Sequence, residues 1–159
     1  MSTSIIDGTV ADVVPGRRAR GIAILKSIRF DLADGSSRTV TKAVVTKDIA
    51  AEIVPGAKGR FYLYNAFDMR GIHGVRTADG RAVHGFPTNN QTLFLVAGTI
   101  NLAWVVIMIA LRGAIPLLGA ALLVLCAVGW YFMGRGKDEA RKQFDGDAGY
   151  VAPPVAAAT

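Results

Sequence analysis

Residues 91–133 read QTLFLVAGTINLAWVVIMIALRGAIPLLGAALLVLCAVGWYFM. Apart from Arg112, this stretch contains no Asp, Glu, Lys or Arg. About 20 consecutive apolar residues are enough to cross a bilayer core of roughly 30 Å. The stretch therefore predicts two transmembrane helices, at 91–111 and 115–133, joined by a turn at 112–114.

The alternative is a buried helix pair in a soluble protein. Helices of soluble domains normally keep one polar face, whereas 93–111 and 115–133 are apolar all round. The chain has 159 residues, and most of the remainder reads as β structure. No core large enough to enclose two such helices is expected in a chain of this size.

The net charge of +6 is unevenly distributed along the chain. Residues 1–90 carry 13 Lys or Arg against 8 Asp or Glu, whereas the segment after Met133 is balanced. Lys and Arg close to an anionic membrane surface each contribute about 1 kcal/mol of attraction. The lipid bilayer is thus the first expected partner of the basic part, and nucleic acid is not favoured.

Basic residues near the two spans predict their orientation. Arg76 and Arg81 precede the first span, whereas the turn contributes Arg112 alone. Four more follow the second span: Arg135, Lys137, Arg141 and Lys142. By the positive-inside rule, both termini face the cytoplasm. Residues 1–14 lack the pattern of a secretory signal, so export of the N-terminal domain is not expected.

The pattern of residues 1–86 predicts a small antiparallel β-barrel of the OB-like kind. Short strands rich in β-branched and aromatic residues are separated by turn signals such as Pro15-Gly16. One helical turn, at 46–53, interrupts them before a Pro-Gly pair. The remaining segments are a linker at 87–90 and a cytoplasmic tail at 134–159, expected to form a short helix and then a disordered end from Gly149.

Arg17, Arg18 and Arg20 lie in a glycine-flanked loop after the first predicted strand. Guanidinium groups on a mobile backbone suit a phosphate, so these three residues are candidate ligands for an anion. The alternative is a solvated loop whose charges keep the surface soluble.

Tyr62 and Tyr64 alternate with Phe61 and Leu63 in a predicted strand. If Phe61 and Leu63 face the core, the two tyrosines face outward and are candidates for binding a partner. The alternative is that they pack against neighbouring side chains of the same domain.

His73 and His84 belong to a predicted hairpin around Asp79-Gly80. A two-residue turn would place Val75 opposite His84 and put His73, Val75 and His84 on one face, with the histidines about 7 to 8 Å apart. Two histidines need further ligands to hold a metal, so no metal site is expected. A pair that titrates near neutral pH is the alternative use.

Asn101 lies near the centre of the first span, where an amide needs a hydrogen-bond partner. Counting from the turn places it level with Leu125 and Cys126, and an interhelical hydrogen bond is the expected role. Gly119 and Cys126 are small residues that allow helices to approach closely. Asn101, Gly119 and Cys126 are therefore the predicted helix-packing residues.

Sequence signals of catalysis are absent. Cys126 is the only cysteine, which excludes an intrachain disulfide and a cysteine metal cluster. No P-loop, dinucleotide glycine pattern, nucleophile elbow or HExxH occurs. We therefore expect neither enzymatic activity nor a cofactor.

The stretches DGTV, FDLADG, VPGAKGRFYLY and GIHGVR, beside a tight membrane hairpin, resemble bacterial inner-membrane proteins of the NfeD-like type. The resemblance is architectural and covers most of the chain, with the domain order reversed, since the barrel here precedes the spans. It implies a scaffold or partner of other membrane proteins, and it assigns no functional residue.

Two functions from different classes follow. The first is an adaptor or accessory subunit that presents the barrel to another membrane protein, or to a second copy of the chain, through an edge strand or the Tyr62 and Tyr64 face. The alternative is a membrane-tethered sensor or binder of an anionic ligand, a lipid headgroup or nucleic acid, through the three arginines.

Overall fold

A computed structural model describes residues 2–19, 21–66, 69–87 and 89–151. The strands in these residues are β1 (Ser2–Val14), β2 (Arg18–Ala19), β3 (Ile22–Leu32), β4 (Ser37–Thr46), β5 (Lys58–Ala66), β6 (Met69–Thr77) and β7 (Ala82–His84). The helices are α1 (Lys47–Glu52), α2 (Asn89–Arg112) and α3 (Leu117–Gly146).

The chain divides into two compact units. The sheet unit comprises Met1–Pro87 and Glu139–Thr159, and the hairpin unit comprises Thr88–Asp138. The boundary falls inside α3, so the last two turns of this helix belong to the sheet unit. The predicted short helix of the tail is thus the continuation of α3.

The seven strands form one mixed sheet in the order β1-β5-β6-β4-β3-β2, with β7 on β6. β1 also pairs with β3, so the pairings return to β1 through β5, β6, β4 and β3. All pairs are antiparallel except β4 with β6, which are parallel at Ala43–Arg70 and Val44–Gly71. The expected all-antiparallel sheet is therefore wrong at this pair, because α1 and β5 carry the chain back so that β6 runs in the direction of β4.

The core of the sheet unit is built from apolar side chains of β1, β3, β4, β5, β6 and α1. Ile28, Phe30 and Phe61 are fully buried there, and the Phe30 and Phe61 rings lie 4.8 Å apart. Burying a side chain of this size contributes about 1.5 to 3 kcal/mol. Ile49 of α1, which is also fully buried, covers the core from one end.

The hairpin unit contains α2 and most of α3, and both helices are long and apolar enough to span a membrane. The candidate spans are Asn90–Arg112, with mean hydropathy 2.3, and Leu117–Gly146, with mean hydropathy 2.0. In their most apolar windows, 6% and 17% of the residues are buried. Most large side chains of this unit are therefore not covered by the protein itself.

Candidate functional site

A β-bulge in β6 determines which side chains of this strand lie on each face of the sheet. Leu63 pairs with Ile72 and Tyr62 pairs with Gly74, which leaves His73 as the extra residue. Ile72 and Val75 consequently both belong to the buried core. His73 lies on the opposite face, with its ring centroid 6.0 Å from that of Tyr62.

The β6–β7 hairpin has a different register from the predicted one. Val75 pairs with Val83, and His84 pairs with Gly74. The N–H of Thr77 donates to the carbonyl of Arg81 over 2.9 Å, which closes a three-residue loop. Gly80 in this loop has φ +87°, a left-handed conformation that favours glycine.

The bulge and the three-residue loop together bring the rings of His73 and His84 close to each other. Their ring centroids lie 5.7 Å apart on the outer face, whereas Val75 faces the core. The prediction that His73, Val75 and His84 share one face is thus wrong for Val75. Among the described residues, no group of three or more His, Cys, Asp or Glu could hold a metal ion. Asp68, a carboxylate near the two histidines in the sequence that could add a third ligand, lies outside those residues.

Residues at and after the end of α3 cover the outer face of β5 and β6. The Phe144 ring packs edge-on against Tyr62, with centroids 5.1 Å apart, and lies 5.1 Å from the ring of His84. Gln143 Oε1 lies 3.1 Å from His73 Nε2. We call the four residues that make these and the following contacts the C-terminal clamp: Gln143, Phe144, Asp147 and Tyr150.

Asp147 and Tyr150 extend the clamp beyond the helix. Asp147 accepts hydrogen bonds from the Tyr62 hydroxyl and from Arg60 Nη1, the latter at 2.8 Å. The Arg60 guanidinium lies 4.0 Å from the centre of the Tyr150 ring and also pairs with Asp7. The pKa of Asp147 is lowered by hydrogen bonds from Arg60 and Tyr62, so its carboxylate is stabilised in the charged form.

The clamp leaves no exposed tyrosine face on β5. Tyr62 is 0% exposed and Tyr64 is 2% exposed. Phe144 covers Tyr62, and Phe86 packs on Tyr64 with ring centroids 4.9 Å apart. Burial raises the pKa of Tyr62 to about 12. The predicted outward aromatic surface is therefore wrong, and the alternative of packing within the domain is the one observed.

His73 does not titrate near neutral pH. Its side chain is fully buried, and burial lowers its pKa to about 4, because the charged imidazolium would lose its hydration. A switch at neutral pH is therefore not available to His73.

The arginine loop is only partly described. Arg17 and Arg18 are exposed, and Arg18 lies in β2, which pairs with β3. In the described part of the chain, neither guanidinium forms an ion pair. Arg20 lies outside the described residues.

Inside the hairpin unit, Asn101 Nδ2 donates to the backbone carbonyl of Gly119 over 2.8 Å. The expected interhelical hydrogen bond is present, but its acceptor is not at the predicted level of Leu125 and Cys126. A carbonyl has two lone pairs and can accept this bond in addition to its helical one. A Cβ at Gly119 would lie 2.7 Å from Trp104 and Val105 atoms, so the missing side chain permits this contact. Cys126 is buried in the same unit.

The sequence did not reveal the C-terminal clamp. Asp147 bonds to residues 85 and 87 positions earlier in the chain, and no local pattern marks such a contact. One residue of the clamp could have been noticed in the sequence, because Phe144 is an aromatic residue in a segment rich in charged residues.

Comparisons of the chain with protein-family models, with curated proteins and with solved structures found no match.

Proposed function

We propose that this chain is an integral inner-membrane protein whose hairpin anchors a basic β domain and makes it an adaptor or accessory subunit of another membrane protein. The observation that carries the proposal is the lack of protein cover on the apolar side chains of α2 and α3. Ile100 is 66% exposed, Leu118 is 83% exposed and Leu125 is 61% exposed. Hydrocarbon is the solvent in which such a surface is stable.

The sheet unit is proposed to be an OB-like barrel. Its pairings return to β1. In chain order, the strands of this circuit are β1, β3, β4, β5 and β6, and α1 lies between the third and the fourth, β4 and β5. Closure removes sheet edges that would otherwise aggregate. The short strands β2 and β7 stay at the margin of the circuit and offer backbone groups for strand addition by a partner. The resemblance to NfeD-like proteins stays a prediction.

The lateral surface of the hairpin is the proposed contact with the partner. Asn101 and Gly119 use their polar atoms within the hairpin, so they hold the two helices together. The outward faces carry small exposed residues such as Ala103 and Ala127. Small residues let a helix of another protein approach closely. The basic residues near the spans support a cytoplasmic location of both termini.

Fractionation and affinity purification test the proposal. The full chain should sediment with membranes and need detergent for release, and it should then co-purify with a stoichiometric membrane protein. Ala103→Phe and Ala127→Phe, which keep the surface apolar but block close approach, should lose that partner while remaining in the membrane. Asn101→Leu is the matched internal control and should keep the partner.

Two outcomes would contradict this function. A chain that stays in the supernatant without detergent has no membrane anchor. A chain that is membrane-bound but purifies alone as a monomer, in mild detergent, has no partner of the proposed kind. A stable homo-oligomer would identify a second copy as the partner.

The second candidate is a membrane-tethered binder of an anionic ligand through Arg17, Arg18 and Arg20. The observation that favours it is the exposure of Arg17 and Arg18 without an ion pair in the described part of the chain. If it is correct, replacing the three arginines by Gln should weaken binding to anionic vesicles or RNA, and the remaining affinity should depend less steeply on salt.

A further inference from the structure

A polar cavity of about 260 Å³ opens in the sheet unit where β4 and β6 separate. It lies between the first residues of β1, the first half of β4, the end of β5 and the start of β6. Its lining residues with polar side chains are Ser2, Ser4, Arg38, Thr39, Thr41, Tyr64, Asn65 and Arg70. Leu63 and Gly71, both buried, also line it.

The cavity coincides with a backbone irregularity in β4. Lys42 has φ 53°, a left-handed conformation that is uncommon for a residue with a side chain. β4 pairs with β6 at Ala43 and Val44, directly after Lys42, and within the described residues this parallel pairing includes no residue of β4 before Lys42. A conformation of this kind costs about 1 to 2 kcal/mol, and such strain is concentrated at functional sites.

The irregularity also changes which residues of β4 face the core. Ala43 and Val45, after Lys42, are fully buried, whereas Val40, before it, is the residue that packs against the core. Side chains alternate along a regular strand, so even-numbered and odd-numbered residues cannot share one face without such a break. The break leaves Arg38, Thr39 and Thr41 along the cavity.

The charge of the cavity is unbalanced. Arg38 and Arg70 line it, and among the described residues its lining contains no Asp or Glu. In the described residues neither arginine forms an ion pair, whereas Arg60 and Arg81 do. Ser4 and Thr41, whose side chains carry hydroxyl groups, are also among the lining residues.

We propose that this cavity binds the phosphate group of a small phosphorylated molecule, with Arg38 and Arg70 as its charged ligands. The planar guanidinium donates two parallel N–H bonds to phosphate oxygens, a geometry that lysine does not offer. The volume lies just below the range for drug-sized ligands, which suits a phosphate with a small substituent. The site does not depend on the membrane anchor or on the arginine loop.

The test is NMR spectroscopy of the full chain in uncharged detergent micelles, with 15N-labelled arginine and inorganic phosphate as the probe. The Nε–Hε signals of Arg38 and Arg70 should shift and saturate at millimolar phosphate, while that of Arg135, an exposed arginine of the hairpin unit, stays unchanged. Arg38→Gln or Arg70→Gln should weaken binding about tenfold or more, since each removes a charge-assisted contact. Arg38→Lys, which keeps the charge, should recover only part of the affinity.

The matched control is Lys26→Gln, which removes an exposed cation outside the cavity and lowers the net charge by the same amount as either cavity variant. Equal loss of binding in the control would overturn the proposal in favour of a general charge effect. Equal shifts at all labelled arginines, or shifts produced equally by chloride, would do the same. Because Arg38 and Arg70 are exposed, these variants should fold, and a far-UV spectrum checks this.

Nanodiscs distinguish the two possible sources of the phosphate group. If it belongs to a lipid headgroup, phosphatidic acid nanodiscs shift the Arg38 and Arg70 signals without added phosphate, relative to phosphatidylcholine nanodiscs. If it belongs to a soluble molecule, the two kinds of nanodisc give the same signals and free phosphate still shifts them. Both results support the site, and failure of both lipid and free phosphate to shift the signals overturns it without affecting the proposed membrane anchor.

Discussion

Two isoleucines show how differently the two units are built. Ile28 in the sheet unit is 0% exposed, whereas Ile107 in the hairpin unit is 54% exposed. The sheet unit encloses its large apolar side chains and forms ion pairs at its surface. The hairpin unit instead exposes its apolar side chains and places the Asn101 amide against a backbone carbonyl between its helices. The same residue type thus lies in a protein interior in one unit and is largely uncovered by the protein in the other.

Truncating one isoleucine in each unit should give the largest difference in stability between the two units. Ile28→Ala should lower the free energy of unfolding of the sheet unit by about 2 to 5 kcal/mol, because it opens a cavity in a closed core. Ile107→Ala should change stability by less than about 0.5 kcal/mol, since its side chain lacks full protein cover. Amide hydrogen exchange of the full chain in detergent micelles measures both. A large loss for Ile107→Ala would show that the hairpin is a buried helix pair.

Two glycine substitutions test whether the last turns of α3 are held against the sheet. A Cβ at Gly74 would lie 2.5 Å from the Phe144 ring, whereas nothing lies within 4 Å of a Cβ at Gly146. Gly74→Ala should therefore displace Phe144 from the sheet at a cost of about 1 to 3 kcal/mol. Gly146→Ala should cause no loss. The measurement is hydrogen exchange and limited proteolysis of residues 139–150. Unchanged protection of this segment in Gly74→Ala would contradict the clamp.

The pH dependence of stability should be confined to the sheet unit, which contains both histidines. The pKa of His73 is about 4 in the folded chain, below its ordinary value of 6.5. The unfolded chain therefore binds more protons between these values, and stability falls as the pH drops through this window. The loss should be on the order of 1 kcal/mol by pH 5, a figure reduced to allow for partial solvent screening. Melting curves of the full chain measure it.

His73→Gln is the control for this titration. It cannot gain a proton in this range, so its melting temperature should vary less between pH 6.5 and 5 than that of the unmodified chain. An identical pH dependence in the two chains would assign the effect to other groups.

Some features were predictable because their causes are local. Period-two patterns marked the β strands, and the Thr46 region marked α1, observed at Lys47–Glu52. The absence of charge marked α2 and the start of α3 within a few residues, whereas α3 continues to Gly146, well past the predicted end of the second span at 133. Asn101 was identified as a helix-packing residue, because an amide in an apolar helix needs a partner whatever the fold.

Other features escaped prediction because they depend on contacts distant in the chain. The bulge at His73 moved one residue out of the expected alternation, which separated His73 from Val75. The left-handed Lys42 is invisible in a sequence that carries no glycine there. Tyr62 was expected outside because nothing near it in the sequence indicates that Phe144 covers it.

By itself, the sequence determined that two long apolar segments follow a β domain, because span length and strand period are properties of consecutive residues. Tertiary structure alone decided that the C-terminal clamp covers Tyr62 and that Arg38 and Arg70 line one cavity. Those outcomes depend on strand order, on one bulge and on one unusual backbone angle. Each of these is fixed by the packing of the whole sheet rather than by any single stretch of the chain.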